Sequence, residues 1–132
     1  MPYSGSMKIL LADPHPEVQS ALRLIANRIP EVSEVAEAGS LVQLLANCAQ
    51  SCPDLILFDL DLVQPARSRS ETLADLISVV RRLCPGSRLI AMSSRFEAEH
   101  QALAAGANGF ISKTIPPDEF LSGLARFFEN HA

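Results

Sequence analysis

Four short segments of the chain are apolar almost without interruption: Lys8–Ala12 (KILLA), Asp54–Phe58 (DLILF), Arg88–Ser93 (RLIAMS) and Gly109–Ser112 (GFIS). A strand with one face in water alternates apolar and polar residues, whereas a strand covered on both faces need not. A fifth candidate, Val32–Ala36 (VSEVA), does carry polar residues inside the run. The set predicts a sheet buried on both sides. Parallel sheets are built that way, because the crossovers between their strands are helices that cover both faces.

The intervening segments have helical period. Val18, Ala21, Leu22, Ile25 and Ile29 share one face, and Pro30 is expected to stop that helix. Leu41, Leu44, Leu45 and Cys48 form the next stripe, with Ser40 as a predicted N-cap. Leu73, Leu76, Ile77, Val80 and Leu83 form the third, ended by Pro85-Gly86. A weak fourth runs from Phe96 to Ala105 and ends at Gly106. The fifth carries Phe120, Leu121, Leu124, Phe127 and Phe128. Pro117 suits its first position, and Asp118 and Glu119 complement its positive end.

Strand then helix, five times, predicts an α/β domain with a parallel sheet and helices on both faces. The 132 residues suit one such domain, expected over 7–130, with 1–6 as a disordered start or a cloning remnant. The polar stretch Leu62–Glu71 (LVQPARSRSE) reads as a loop in which Arg67 and Arg69 are solvated.

A formal charge of −4 gives no basic footprint for nucleic acid. No apolar stretch is long enough for a membrane span, and the first residues lack the pattern of a signal peptide. Three cysteines, Cys48, Cys52 and Cys84, cannot all pair within one chain. An odd count without a secretion signal points to a reducing, cytoplasmic setting. Cys48 continues an apolar stripe and is expected as a core thiol.

In open parallel sheets the functional crevice lies at the carboxyl ends of the strands. Those ends carry Asp13 after the first strand, Asp59 after the third, Ser93 on the fourth and Lys113 after the fifth. Clustered carboxylates repel unless a cation sits between them, and oxygen ligands suit Mg2+. An aspartate can also accept a phosphoryl group as an acyl phosphate, with the developing charge stabilised by a metal, a lysine and a hydroxyl. The set reads as an aspartyl-phosphate site. No glycine-rich loop follows the first strand, where "DPHPE" stands, and there is no Trp and only Tyr3 to stack on a flavin. A flavodoxin-type carrier is therefore disfavoured.

Over nearly its full length, Lys8 to Phe128, the chain resembles a response-regulator receiver domain of two-component signalling. "KILLADPHPEV" resembles the family's first strand and acidic turn, and "PDLILFDLDL" its acceptor strand. "RLIAMSS" resembles the switch strand, and "AAGANGFISKTIPPDEFLSGL" the C-terminal block. The resemblance implies a flavodoxin-like (βα)5 three-layer sandwich with strand order 2-1-3-4-5. It implies Asp59 as phosphoacceptor and Asp13 as a metal-binding acid. Ser93 (rather than Ser94) and Lys113 would contact the phosphoryl group, and Phe110 would be the switch aromatic. The metal would be Mg2+, held by Asp13, Asp59 and the backbone carbonyl of Asp61.

The implied donor is a histidine kinase or phosphotransfer protein. A homodimer through the fourth helix, fifth strand and fifth helix is a further implied partner. Nucleic acid and membrane are not expected to touch this domain, and no external metabolite is turned over, so the chain is not expected to be an enzyme.

Three departures stand out. Pro14 replaces the family's second acid, which should weaken Mg2+ binding and which the side chain of Asp61 could offset. His15 and Glu17, nearby, read as a loop or helix-start residue and a surface acid. The family's Met-Pro-x-x-x-Gly turn is absent, with Pro65 coming late, and Thr114 stands where a proline often follows the lysine. The alternative to a phosphorylation switch is a degenerate receiver that acts as a phosphorylation-independent interaction or dimerisation module.

Overall fold

The computed structural model describes residues 6–63 and 69–129. The apolar runs become β1 (Met7–Ala12), β3 (Leu55–Asp59), β4 (Arg88–Ser93) and β5 (Gly109–Ser112), and the mixed run becomes β2 (Val32–Ala38). All pairings are parallel, in the order β2-β1-β3-β4-β5. The fold is the doubly wound α/β sandwich that the sequence predicts. β2 is one of the two edge strands, and its polar residues Ser33, Glu34 and Glu37 are exposed there. It runs two residues beyond the predicted Ala36, pairing Glu37 with Leu11 and Ala38 with Ala12.

The helices are α1 (Pro16–Ala26), α2 (Leu41–Gln50), α3 (Arg69–Leu83), α4 (Glu99–Ala104) and α5 (Pro117–Glu129). The pleat of β3 sorts the core. Leu55 and Leu57 join Leu22, Ala26, Phe120, Leu124 and Phe128 on the α1/α5 side. Ile56 and Phe58 join Leu44, Leu73, Ile77, Val80 and Ala102 on the side of α2, α3 and α4. Successive strand residues point to opposite faces, so one unbroken apolar run serves two cores. Each fully buried side chain of this size contributes roughly 1.5–3 kcal/mol.

Local signals hold at several ends. The Ser40 hydroxyl accepts from Gln43 N at 3.2 Å, as an N-cap should. Pro117 opens α5, with Asp118 and Glu119 in its first turn. Three ends differ from expectation. α1 stops at Ala26, and the amides of Arg28 and Ile29 bond to the carbonyls of Ile25 and Ala26 in a tightened turn that still buries Ile29. The weak fourth helix splits into a 3-10 turn, Phe96–Ala98, and the short α4. At the end of α3, Leu83 is 43% exposed while Cys84 is 1% exposed. The helix ends there, and its last apolar contact passes to the residue after it.

Of the predicted loop, Leu60–Leu62 is a 3-10 turn and α3 already begins at Arg69. Pro65 and Arg67 lie outside the described residues, as does most of segment 1–6. No described helix is long and apolar enough to cross a membrane.

Cys48 is the buried core thiol expected, and burial pushes its pKa up, against the opposing charge of Lys8. Cys52 and Cys84, however, are joined in a disulfide. The odd count left such a pair open, and the inference of a reducing setting drawn from it did not anticipate the bridge. The two Cα atoms stand 5.5 Å apart, inside bridging range, across a separation of 32 residues that no local spacing reveals.

The bridge sits at the amino-terminal end of the strands, among other ties. Arg81 donates to Ser87 O (3.0 Å), Gly106 O (2.9 Å) and Asn108 Oδ1 (2.8 Å). Asn108 Oδ1 also accepts from Leu89 N at 2.8 Å, and Ser87 Oγ donates to Pro53 O. Gly106 turns the chain between α4 and β5 with φ of +112°, a conformation that glycine adopts without a Cβ clash.

Gly109 opens β5 beneath α5. A Cβ there would lie 2.6 and 2.8 Å from Phe127 ring atoms and 3.3 Å from Ile90 Cδ1. Gly109→Ala should therefore destabilise the domain by about 1–3 kcal/mol through overpacking. Urea unfolding measures this, and an unchanged midpoint would show that Phe127 gives way freely.

Candidate functional site

The doubly wound order makes neighbours of β1 and β3 while their crossovers leave in opposite directions. A crevice opens where this happens, at the carboxyl ends of the two strands. Asp13 follows β1 and Asp59 ends β3. Both are almost wholly buried, at 0% and 1% exposed.

Each carboxylate is fixed by two donors. Asp13 Oδ1 accepts from His15 N at 2.8 Å, and Oδ2 from Lys113 Nζ at 3.0 Å. Asp59 Oδ1 accepts from Asp61 N at 2.7 Å, capping the 3-10 turn, and Oδ2 accepts a short bond from Lys113 Nζ. Lys113 comes from the far side of β4, where its amide bonds to Ser93 O at 2.9 Å. One ammonium thus bridges two buried carboxylates contributed by separate strands.

The electrostatics follow from that count. Burial pushes the Asp59 carboxyl above its ordinary value of 3.8; the bonds from Lys113 and Asp61 N oppose the rise, and the charge of Asp13 adds to it. Burial pulls the Lys113 ammonium down, but its bonds to Asp59 and Asp13 outweigh this and hold it above 10.5. A buried acid whose ionised form is disfavoured is a reactive-site signature.

Ser93 lies beside this group, 6% exposed, with its hydroxyl accepting from Arg95 N at 3.0 Å; Ser94 is exposed. Phe110 is half-buried on β5 and packs toward the core beneath α3 and α4. The carboxylate of Asp61 lies 3.5 Å from His15 Nε2, with both side chains about half exposed. Ion pairs at such exposure contribute little. Among the described residues no three His, Cys, Asp or Glu side chains are grouped to hold a metal.

The residues that could hold a divalent cation are the carboxylates of Asp13 and Asp59 and the backbone carbonyl of Asp61. Two carboxylates already gathered around one cationic nitrogen fit such an ion, and Mg2+ is commonly held by one or two carboxylates, waters and substrate phosphate. Pro14 adds no side-chain oxygen.

One positioning residue escaped the sequence reading. Gln19 Nε2 donates to Asp13 O and to Ala38 O, both at 2.9 Å, and ties α1 to the ends of β1 and β2. A polar residue in the second turn of a helix carries no sequence signal for this.

Comparison with known proteins agrees with this fold. The family model described as the response regulator receiver domain matches residues 9–125. The transcriptional activator protein ExaE of Pseudomonas putida is 34% identical over 96% of this chain and 57% of its own length. The nitrate/nitrite response regulator protein NarL of Escherichia coli is 30% identical over 88% of this chain and 52% of its own. The chain thus spans about half the length of these relatives. Among solved structures, a CheY-like receiver domain protein from Methanospirillum hungatei superposes with TM-score 0.72 at 25% identity, covering 94% of both chains. The isolated receiver domain of RcsB from Salmonella enterica gives TM-score 0.75 at 21% identity, over 93% of this chain and 88% of that one.

Proposed function

Because this chain belongs to the response regulator receiver domain family, we propose that it is a phosphorylation switch with Asp59 as phosphoacceptor. The unit that carries this function is residues 7–130. The observation that carries the reading is the Lys113 ammonium on both buried carboxylates at the β1/β3 crevice.

A carboxylate oxygen of Asp59 attacks phosphorus in a phosphohistidine of a histidine kinase or phosphotransfer protein. An O–P bond forms and the N–P bond breaks. Mg2+ bound at Asp13, Asp59 and the Asp61 carbonyl would supply charge neutralisation for the transferring group. Lys113 follows the phosphoryl oxygens, exchanging a carboxylate partner for a more highly charged one. Ser93 gives up its bond from Arg95 N to meet the same group, and Phe110 follows the vacated space. The surface of α4, β5 and α5 then changes for a partner or a second copy of the chain. The modification stays on the protein, with no external metabolite turned over.

Pro14 favours a second reading, in which the fold persists as an interaction or dimerisation module without phosphorylation. One experiment separates the two. Incubation with a small phosphoramidate donor and Mg2+ should add the mass of one phosphoryl group, and Asp59→Asn should add none. No adduct on the wild-type chain, with no Mg2+ binding at millimolar concentration, would leave only the second reading.

A further inference from the structure

We propose that Cys52 and Cys84 form a reversible thiol–disulfide site that braces the end of α3, with Cys52 as the sulfur that exchanges with external thiols. The two cysteines link the segment before β3 to the residue after α3, at the end of the sheet opposite Asp59.

Accessibility is unequal. Cys52 is exposed, whereas Cys84 is 1% exposed. Exchange requires an external sulfur to reach one member of the pair in line, and Cys52 is the one it can reach.

The frame also suits the reduced pair. Cys52 Sγ lies 3.4 Å from Leu83 O and 3.7 Å from Cys48 O, and Cys84 Sγ lies 3.3 Å from Cys48 O. On reduction the two sulfurs must move apart to van der Waals contact, and the carbonyls of Leu83 and Cys48 stand close enough to accept from the two thiols after that shift. One backbone serves both oxidation states. Cys48 is 2% exposed, which keeps the third sulfur out of the exchange.

The chemistry balances with a small-molecule disulfide as oxidant. The Cys52 thiolate attacks glutathione disulfide, forming a mixed disulfide and releasing one glutathione thiolate. The Cys84 thiolate then attacks Cys52 Sγ and releases the second. Two protein thiols lose two electrons and two protons, and one glutathione disulfide becomes two glutathiones. A dithiol reverses the sequence.

Closing a loop across 32 residues restricts the unfolded chain, so the bridge should raise the melting temperature by roughly 10 °C. Arg81, in the last turn of α3, holds Gly106 and Asn108. Bracing the helix end should therefore slow amide exchange at Arg82–Cys84 and at Gly106–Asn108.

The test uses the full chain equilibrated with glutathione disulfide or with dithiothreitol, then unfolded in a thiol-alkylating reagent and mapped. Expected are one alkylated thiol, Cys48, and a Cys52–Cys84 linkage under oxidation. Dithiothreitol should restore three thiols in the folded protein, with the lower melting temperature and faster exchange. Cys52→Ser should melt alike in both buffers. Three thiols under oxidation, a linkage through Cys48, a bridge that folded protein retains in dithiothreitol, or equal melting of the two wild-type forms would each overturn the proposal. Asp59→Asn should give the same redox result, so the outcome does not depend on phosphorylation.

Discussion

Lys113→Met should cost the domain about 3 kcal/mol at pH 7, the low end of the scale for removing one member of a buried ion pair, because the ammonium reaches the rim at 15% exposure. The substitution keeps length and apolar stem but leaves Asp13 and Asp59 facing each other without a counter-charge. Asp59 is already held above its ordinary value of 3.8 by burial, and losing the Lys113 bond removes an opposing effect. Its carboxyl therefore rises further in the variant.

The sign follows from linkage. An acid whose folded pKa is raised contributes full stability below its unfolded value, and that stability is lost as pH rises through the folded one. The deficit of the variant is therefore largest at neutral pH and closes as the pH falls toward 3.8. Mg2+ should restore part of it, because a ligand bound only to the folded state adds stability with its concentration. Urea unfolding between pH 7 and 5, with and without Mg2+, measures each effect. A deficit that stays constant with pH would mean that lost packing, not stranded charge, causes it.

Pro14→Asp should tighten Mg2+ binding by about 10–100-fold. Pro14 is half-buried beside Asp13, and its ring offers no donor. Affinity in oxygen sites rises with the number of charged ligands, and even outer groups around a metal change affinity on that scale. The same change adds a third acid to two carboxylates that share one ammonium. The metal-free variant should therefore melt below the wild type, and saturating Mg2+ should reverse the order. Thermal melts across a Mg2+ titration show the crossing. Parallel curves for the two proteins would place residue 14 outside the metal's reach.

The sheet was legible because burial on both faces leaves a mark that no local competitor imitates. Runs such as Leu55–Phe58, short and preceded by Pro53, are too brief for a core helix and fit a buried strand. The rim residues were legible for a related reason: parallel strands end at one edge, so Asp13, Asp59, Ser93 and Lys113 had to share it. What escaped notice depends on side-chain direction or on distant pairing. Nothing in "DLDL" says that the Asp61 side chain turns toward His15 while its amide donates to the capping carboxylate of Asp59. The stripe reached Leu83 within the helix, but that side chain is left exposed and Cys84 is buried in its place. Cys52 and Cys84 meet only after α3 has folded across β3. Gln19 holds Asp13 and Ala38 by a backbone route that residue type cannot announce.

The ties at the amino-terminal edge give the domain a mechanical polarity. Arg81, Asn108, Ser87 and the Cys52–Cys84 bridge gather α3, β4 and the turn before β5 at that end. At the other end, one lysine spans the strand tips. The layers are arranged like the leaves of a fan: riveted at the handle, and clasped at the open edge by a lysine that reaches across two strand tips. A change at the clasp therefore acts on the end of the sheet that lacks the rivets, far from Arg81 and the disulfide.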